Sequence, residues 1–513
     1  MSHPLAWHQD RRRLLMALLG LLVGLEFLEN GMFVFAASHI VGGVDAGPRE
    51  FAQAQAAYAV GSMVMIVMQQ WLSRHFGYRR YLTVSLVIFA IGSVASASAD
   101  GIVGLGLARL VQGFGGGALF TSSRVLIPML FGAKERGLAI KYYMLILFGL
   151  SACAPVLAAS LVDGWGWGWR WIFLSVLPPT ALATAGCWWL LPDAAGRGGE
   201  PVRWAATPLL MVAAALTLLQ LGMAEARYDL FDRPLRLAAI AAAGIALFLF
   251  FLWHQWRHEE PLLRLRELRH PVYVMGLALY FVHYLLSNAS NYLFPIFAER
   301  SLGFPLQAVG WMSTFSAAVS FAIAWGYIKT AAKMPSKKPM MVAGALALAA
   351  AAALFSAMPP GADAGALLPG LVAKGMFGVM LVLPVAGLTF RGLGDAAFAH
   401  GYQSKNLMRQ LAGSFSGAVT AIVLEDRQFA NGSQIAATVS DNHAQTVDWM
   451  ASMQAAFTAH GLLPGAAHQA ATAQMSRLVE QQALLLSCED VYRFLAVLAL
   501  LAAGMVLAQR RLA

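Results

Sequence analysis

The sequence is poor in charged residues and in cysteine. Asp, Glu, Lys and Arg make up only 12% of its 513 residues, whereas a soluble protein of this size carries about a quarter. Hydrophobic residues make up 59%, more than one water-soluble core could bury, so the composition predicts a membrane protein. The three cysteines, Cys153, Cys187 and Cys488, lie at unrelated spacings. They therefore predict neither a metal site nor a disulfide framework.

Sequence motifs of nucleotide-driven and catalytic proteins are absent as well. The glycine-rich run 113–117 lacks the Lys-Ser/Thr pair of a P-loop and lies within an apolar segment, so we interpret it as a helix-packing element. The loops contain no catalytic triad and no zinc-ligand spacing. We therefore expect a protein that is not an enzyme, needs no cofactor and uses an ion gradient as its energy source.

Fourteen apolar segments are long enough to cross a bilayer, which takes about 20 residues. Most of the 36 Lys and Arg residues, Lys405 among them, lie in segments on one side of these spans. The positive-inside rule then places both termini in the cytoplasm. The basic residues of these short loops explain the net charge of +10 without a nucleic-acid partner. The predicted spans are 14–38, 52–72, 80–98, 102–130, 137–162, 169–191, 204–224, 236–256, 272–297, 306–328, 339–358, 365–390, 403–424 and 490–509.

One connecting segment, 425–489, is much longer than the others and faces the outside in this orientation. It is polar and rich in Gln and Ala, and its second half, around 472–486, has helical character. Two interpretations stay open at this point. The segment is either a solvated cap or a docking surface for a periplasmic partner.

Several short motifs occur along the chain. Gly77 and Arg79 close a basic loop between spans two and three, and Arg109, Gln112 and Gly113 form an R-x-x-Q-G run in span four. Span five carries Cys-Ala-Pro155-Val-Leu-Ala-Ala and is followed by Trp-Arg-Trp-Ile-Phe at 169–173. Asn406-Leu-Met-Arg409-Gln-Leu-Ala-Gly413 lies in span thirteen.

These motifs resemble those of the major facilitator superfamily, and the last one resembles the fourteen-spanner drug:proton antiporters of the EmrB/QacA type. The resemblance implies an all-α integral membrane fold, in which two six-helix bundles and two linker helices supply fourteen transmembrane helices. The corresponding domains are 1–198, 199–262 and 263–513. The resemblance assigns gating and packing roles to Gly77, Arg79, Gln112, Gly113, Pro155, Arg409 and Gly413.

The same resemblance implies proton-driven export of hydrophobic or amphipathic small molecules by alternating access. A periplasmic adaptor and an outer-membrane channel are the further partners that it suggests. The sequence departs from the family pattern at Arg74, where the family has an Asp that helps to lock the cytoplasmic gate. How this chain closes that gate is therefore left open by its sequence.

Charged side chains within the spans are expected to have a partner or a function, because each costs about 2.5–3.5 kcal/mol at mid-bilayer. Glu26 and Glu29 are three residues apart, hence on one face of span one, with Asn30 beside them. Arg109 reaches a comparable depth in span four, which neighbours span one in the superfamily fold. Our hypothesis is that Glu26 and Glu29 form the proton site and that Arg109 is their switchable counter-ion. The alternative is a permanent ion pair that only orients span one.

Further polar side chains within the spans are candidates for the substrate cavity. Arg124 and Lys141 approach the cytoplasmic mouth, where they reach lipid headgroups, attract an anionic substrate or pair with Glu26. Lys374 has no partner evident from the sequence, and Asn288 and Asn291 share a face of span nine. Asn30 completes this candidate set, and Arg409, early in span thirteen, is interpreted as a structural contact near a helix end.

Three functional hypotheses follow. The leading one is a proton-coupled exporter of hydrophobic or amphipathic compounds. The second is a dedicated exporter of one anionic metabolite, such as a siderophore or an aromatic or fatty acid, which the cations within the spans favour. The third, from a different class, is a membrane sensor on a transporter-like scaffold, which would show no substrate-dependent proton release.

Overall fold

The computed structural model describes residues 9–196, 206–259, 261–331, 333–439 and 443–512. These residues form α-helices and contain no β-strand. Short π-helical turns at Ser160–Gly164 and Ile296–Ser301 extend two of the helices. The α-helices are α1 Gln9–Phe35, α2 Ala37–Gly43, α3 Pro48–Ala97, α4 Ile102–Leu130, α5 Ala133–Ala159, α6 Arg170–Leu174, α7 Leu177–Leu190, α8 Ala206–Asp232, α9 Pro234–Arg257, α10 Pro271–Pro295, α11 Leu306–Thr330, α12 Lys338–Phe355, α13 Ala364–Met380, α14 Val382–Leu388, α15 Asp395–Thr438, α16 Ala444–Ala459 and α17 Pro464–Ala508.

Within the described residues, thirteen helices are long and apolar enough to cross a membrane. One of them, α3, has 50 residues and would measure about 75 Å if straight, more than twice the apolar thickness of a bilayer. It is interrupted at Gly77, where φ is 77° and ψ is 152°, a conformation that glycine adopts without strain. Helix α3 therefore covers the predicted spans two and three, so the thirteen helices cover the fourteen spans predicted from the sequence.

We call α1–α7 the N-half and α10–α17 the C-half. Within the N-half, α3 packs along α4 and α1 packs along α5; within the C-half, α12 packs against α13 and α17, and α10 packs against α15. The two halves meet where α5 packs on α11 and where α15 packs on α3 and α4. The domain boundary predicted at 198/199 lies outside the described residues, and the division into three domains stays a prediction.

Glycines of the R-x-x-Q-G motif bring α3 and α4 into backbone contact. A Cβ atom at Gly113 would lie 2.3 Å from the carbonyl oxygen of Tyr58, and one at Gly117 would lie 2.3 Å from that of Ser62. Such small residues allow membrane helices to pack closely, where dispersion forces and weak polar contacts hold them together. This packing fixes the register of α4 and hence the position of Arg109 in the interior.

The segment 425–489 is largely helical rather than an extended loop. Helix α15 continues to Thr438, α16 follows, and α17 begins at Pro464. The helical character predicted around 472–486 is confirmed, and the first half, for which the sequence made no prediction, is largely helical too. Its Ala and Gln residues have high helix propensity, and the Asn431 side chain donates hydrogen bonds to Ser487 and Asp490, which fixes α15 against α17.

Helix α8 contacts both halves through ion pairs. The Glu225 and Asp229 carboxylates are buried and both pair with Arg49 at the start of α3, the Asp229 contact measuring 3.0 Å. On the same helix, Arg227 pairs with Glu425 of α15. The first of the two predicted linker helices is thus attached to the N-half and to the C-half by separate charged contacts.

Candidate transport site between the two halves

Two buried carboxylates lie in the middle of α1. Glu29 is 0% exposed and Glu26 is 2% exposed, so neither can be solvated by water in this conformation. The Glu29 carboxylate pairs with the Arg109 guanidinium, which is also fully buried. Arg109 further donates to Gln112 at 2.5 Å and to Asn30 at 3.2 Å. The structure thus brings the predicted pair of Glu29 and Arg109 into contact.

Aromatic rings enclose the Arg109 guanidinium. Its central carbon lies 3.9 Å from the ring centroid of Phe33 and 4.3 Å from that of Tyr58. Gln112 in turn donates to Ser93 of α3 at 2.9 Å. Because a buried guanidinium without such contacts is energetically costly, the rings and the amide hold Arg109 in a single position beside Glu29.

Glu26 does not share Arg109 but pairs with a cation of the other half. Its Oε1 accepts a hydrogen bond of 2.8 Å from Arg409 of α15, 383 residues further along the chain. The Arg409 guanidinium also lies 4.5 Å from the Phe120 ring and 5.1 Å from the Phe27 ring. The sequence placed Arg409 near a helix end, whereas it lies about four turns inside α15. Its ion pair joins the two halves, because Arg409 belongs to α15 and Glu26 belongs to α1.

Each of the two carboxylates keeps one oxygen without a partner. Oε2 of Glu26 and Oε2 of Glu29 are buried and accept no hydrogen bond from the residues that the structure describes. A carboxylate oxygen with free lone pairs is the position at which a proton binds. Both acids therefore combine an arginine on one oxygen with a vacant acceptor on the other.

Lys405 lies one helical turn before Arg409 and is also buried, at 3% exposure. Its ammonium makes no hydrogen bond or ion pair with a described residue and instead contacts four aromatic rings. The distances to the ring centroids are 4.6 Å for Phe120, 4.7 Å for Tyr402, 5.0 Å for Tyr280 and 5.6 Å for Tyr284. The sequence counted this lysine among the cytoplasmic segments, and the structure corrects that placement, because α15 begins before span thirteen and carries Lys405 into the interior.

Polar side chains on one face of α15 fasten the two halves together. Gln403 donates to the carbonyl oxygen of Ile66 at 2.8 Å, Asn406 donates to Thr121 at 2.7 Å, and Gln410 donates to Ser62 at 3.1 Å. Their spacing of three and four residues puts them on a common side of the helix. The interface is therefore closed around the buried charges in this conformation. These contacts were not foreseen, because isolated polar residues in an apolar span do not reveal their partners.

A sequence model of the Major Facilitator Superfamily matches residues 19–417, a stretch that includes both ion pairs. The chain belongs to this superfamily. Its all-α membrane fold is that of the superfamily's transporters, and the protein is a multi-pass transporter rather than an enzyme.

Relatives and solved structures of this superfamily resemble the chain along much of its length. It is 27% identical over 385 residues to the multidrug resistance protein B homolog of Mycobacterium tuberculosis, covering 74% of this chain and 70% of that protein. It is 26% identical over 250 residues to the putative multidrug resistance protein MdtD of an Enterobacter species, and this match spans about half of each, 48% and 51%. A bacterial homolog of the human lysosomal transporter Spinster, solved inward-facing, matches 98% of each chain with a TM-score of 0.61 at 14% identity.

Two further basic residues of this superfamily transporter lie against aromatic rings. Arg124 is half-buried in α4, with its guanidinium 5.4 Å from the Phe398 ring. Lys374 is half-buried in α13, with its ammonium 5.1 Å from the Phe294 ring. Neither makes an ion pair with a described residue. Both predicted cavity residues therefore lack a carboxylate in this conformation.

The remaining predicted cavity residues are peripheral or locally satisfied. Lys141 of α5 and Asn291 of α10 are exposed. Asn288 is half-buried, but its amide donates to the carbonyl oxygen of Tyr284 in its own helix at 2.6 Å. The structure does not bring these three side chains to the ion pairs of α1.

The motif residues that were assigned to gating and packing lie at helix contacts. Arg79 pairs with Asp193 at 3.0 Å and lies over the Trp188 ring, so it ties the turn at Gly77 to the end of α7. Pro155 lies where α5 meets α11, since a Cβ atom at Gly310 would stand 3.1 Å from its carbonyl oxygen. A Cβ atom at Gly413 would meet Asn288 only at 3.6 Å.

Proposed function

We propose that this transporter is a proton-coupled antiporter that exports hydrophobic or amphipathic small molecules by alternating access. We place it among the fourteen-spanner EmrB/QacA-type carriers of the bacterial inner membrane, with both termini in the cytoplasm. Support for this proposal comes from the thirteen membrane-length helices among the described residues, one of which covers two predicted spans, from the motif in span thirteen and from the multidrug-resistance names of its relatives. No resident cofactor is required, since the proton gradient supplies the energy.

The observation that carries the proposal is the ion pair of Glu26 and Arg409 between the two halves. A buried pair is stable while both charges are present, but a lone charge in the same position costs several kcal/mol. Protonation of Glu26 removes the attraction and leaves Arg409 without a counter-ion. The halves then separate more easily, because separation lets water solvate the arginine. Proton binding and opening of the interface are coupled in this way.

Glu29 and Arg109 form a second site about 4.5 Å further along α1, one rise of three residues. Both of these residues belong to the N-half, so their pair does not have to break when the halves separate. Asn30 donates to the backbone carbonyl of Glu26 and accepts from Arg109, so it holds Arg109 against the turn of α1 that carries both acids. We assign to Glu29 the proton that is held while the interface changes, and to Glu26 the proton that permits the change.

The helical extension of α15–α17 is our candidate for docking a periplasmic adaptor, through which an outer-membrane channel would be reached. It presents Phe429 at 81% and Leu463 at 78% exposure, which is unusual for residues in an otherwise polar segment. If the extension docks a partner, Phe429→Ser should lower resistance in whole cells and leave transport in isolated vesicles unchanged. Equal behaviour of the variant and the parent in cells would favour the solvated cap.

The decisive experiment is proton-driven uptake into inverted vesicles, measured with cationic dyes and organic acids. Glu26→Gln and Glu29→Gln should each abolish uptake driven by the pH gradient, because a neutral amide cannot exchange a proton. Glu480→Gln is the matched control, since Glu480 is exposed on α17, far along the chain from the ion pairs. This variant should transport like the parent protein.

Full proton-driven uptake by both α1 variants would refute the assignment of the proton sites. Proton release from the purified parent protein on addition of a substrate should also be detectable with a pH indicator. No release with any transported compound would contradict antiport and would favour a sensor or a facilitator.

The second candidate function, a dedicated exporter of an anionic metabolite, is favoured by one specific observation. Lys405 is a third cation beside Arg109 and Arg409, whereas the carboxylates that these cations meet among the described residues are Glu26 and Glu29. This excess of positive charge favours an anionic substrate.

A further inference from the structure

The charges around the interface do not balance. Both carboxylates of α1 are already paired, Glu29 with Arg109 and Glu26 with Arg409. Two more cations at the interface, Lys405 and Arg124, make no ion pair with any residue described in the structure. Lys405 is the more buried of the two. An ammonium held in such a place without a counter-ion is energetically costly, and an anion from outside the chain would relieve this cost.

The surroundings of Lys405 exclude a cation as its ligand. Rings that surround a positive charge usually bind a cationic ligand, but here the lysine itself occupies the space between Phe120, Tyr280, Tyr284 and Tyr402. Arg409 and Arg124 are the cations near enough to repel its charge, and Glu26 is the carboxylate that attracts it. Because Glu26 is already paired with Arg409, a cationic ligand beside Lys405 would be repelled and an anionic ligand would be attracted.

The rings around Lys405 come from both halves. Phe120 belongs to α4 of the N-half, whereas Tyr280 and Tyr402 belong to α10 and α15 of the C-half. Phe120 therefore covers the lysine only while the halves are together. When they separate, Phe120 moves away with α4 and leaves the ammonium facing the opening, with tyrosine rings and hydroxyls beside it.

Arg124 moves with Phe120. It lies four residues later on α4, on the same side of the helix, and its guanidinium contacts Phe398 of the C-half at 5.4 Å. A molecule between the separated halves would thus have an ammonium on one wall, a guanidinium on the other and aromatic rings around it. A carboxylate that carries an aromatic ring matches all three of these features.

We propose that Lys405, assisted by Arg124, is the recognition site for an aromatic organic anion, which makes this class a transported substrate. The proposal rests on the proposed export function and names its substrate class. The carboxylate accepts from the Lys405 ammonium, the tyrosine hydroxyls donate to it, and its ring takes the place of Phe120 against Tyr280 and Tyr402.

The test uses three probes of the same size and different charge. These are 1-naphthoate, which is anionic, 1-naphthamide, which is neutral, and 1-naphthylmethylammonium, which is cationic. Binding of each to the purified full-length protein in detergent is measured by titration calorimetry. We expect naphthoate to bind at least about tenfold more tightly than the other two, because a charge-assisted contact is the one feature that distinguishes it.

Variants of Lys405 separate recognition by charge from other roles of the lysine. Lys405→Gln should weaken naphthoate binding by about tenfold or more, and Lys405→Arg, which keeps the charge, by about threefold or less. The Gln variant should fold, because it removes a buried charge that has no partner, and its melting temperature without ligand should be equal or higher. Lys329→Gln is the matched control: Lys329 is exposed, contacts the Trp325 ring at 4.5 Å and lies at the end of α11. It should bind naphthoate like the parent.

Tighter binding of the cationic probe, or naphthoate binding within twofold of the parent in Lys405→Gln, would overturn the inference. Proton-driven uptake of a cationic dye into vesicles is measured in parallel with the parent protein. Dye uptake without naphthoate binding would refute the aromatic anion as a substrate class and would leave the proposal of a proton-coupled antiporter intact. Naphthoate binding that depends on Lys405, without any proton exchange, would keep the recognition site and refute the proposed coupling.

Discussion

Replacing Arg409 with glutamine removes the positive member of the ion pair that joins the two halves. Glu26 is then left buried at 2% exposure with its counter-ion gone. Removal of one partner from a buried pair costs about 3–5 kcal/mol. Because the Arg409 side chain is itself 13% exposed, we take the lower end, about 3 kcal/mol. The closed interface should therefore lose about 150-fold in population relative to states in which water reaches Glu26.

The reactivity of a buried thiol measures this population. Ser62 is fully buried beneath Gln410 of the other half, so Ser62→Cys, introduced after the three native cysteines are replaced, reacts with a water-soluble maleimide only when the halves separate. Arg409→Gln should raise its reaction rate by about two orders of magnitude, or to the rate of an exposed thiol if that is reached first. Ser452→Cys on α16 is exposed and should react equally fast in both backgrounds.

The double substitution at Glu26 and Arg409 tests the same ion pair. Glu26→Gln together with Arg409→Gln leaves no unpaired buried charge, so the double variant should react more slowly than Arg409→Gln alone. Two results would refute the view that this pair holds the interface closed. One is an unchanged reaction rate of the Ser62→Cys thiol in Arg409→Gln. The other is a double variant in which this thiol reacts as fast as in Arg409→Gln, or faster.

Three further predictions concern the scaffold, each read from thermal unfolding in detergent. Gly113→Ala should lower the free energy of unfolding by about 1–3 kcal/mol, because its Cβ would lie 2.3 Å from a backbone oxygen. Gly417→Ala is the control and should be neutral or slightly stabilising, since a Cβ there has nothing within 4 Å. Equal effects of the two substitutions would contradict this prediction. Gly77→Ala should cost about 1–3 kcal/mol because φ is 77° there, and an unperturbed melting temperature would count against a fixed turn. Glu225→Gln should destabilise the protein and reduce its sensitivity to salt, because Arg49 loses its main partner; an unaltered salt dependence would show that α8 is held by apolar packing alone.

The membrane architecture could be predicted from the sequence because hydropathy and span length depend on local composition. The fourth span was predicted at 102–130, the residues over which α4 forms. Spans two and three are also found, although Gly77 joins them into one continuous helical element. The helical extension after span thirteen was only half foreseen, because a polar helix packed on another helix carries no hydropathy signal.

The contacts of the candidate site could be predicted only where both partners lie in the same half of the protein. The neighbourhood of spans one and four follows from the family resemblance, so the contact of Glu29 with Arg109 could be anticipated. The partner of Glu26 could not, because Arg409 comes from the other half and no local pattern fixes how α15 packs. Lys405 was missed for a related reason. A count of basic residues near span ends does not distinguish a loop lysine from one on an inward-facing turn of a long helix.

The pairing of α1 with distant cations has a consequence for how the chain is made. Span one leaves the ribosome well before spans four and thirteen, carrying two acids whose insertion costs about 2.5–3.5 kcal/mol each when charged. The partner of Glu29 is 80 residues away, and that of Glu26 is 383 residues away. At about 5–20 residues per second, Glu26 waits roughly 20–80 s for Arg409 to be synthesised. During that time span one has to remain protonated or beside the insertion machinery, and any chain that ends before α15 keeps an acid in the membrane with no cation to meet it. The charge of Glu26 in α1 is thus compensated within the membrane only after α15, in the last third of the sequence, has been synthesised.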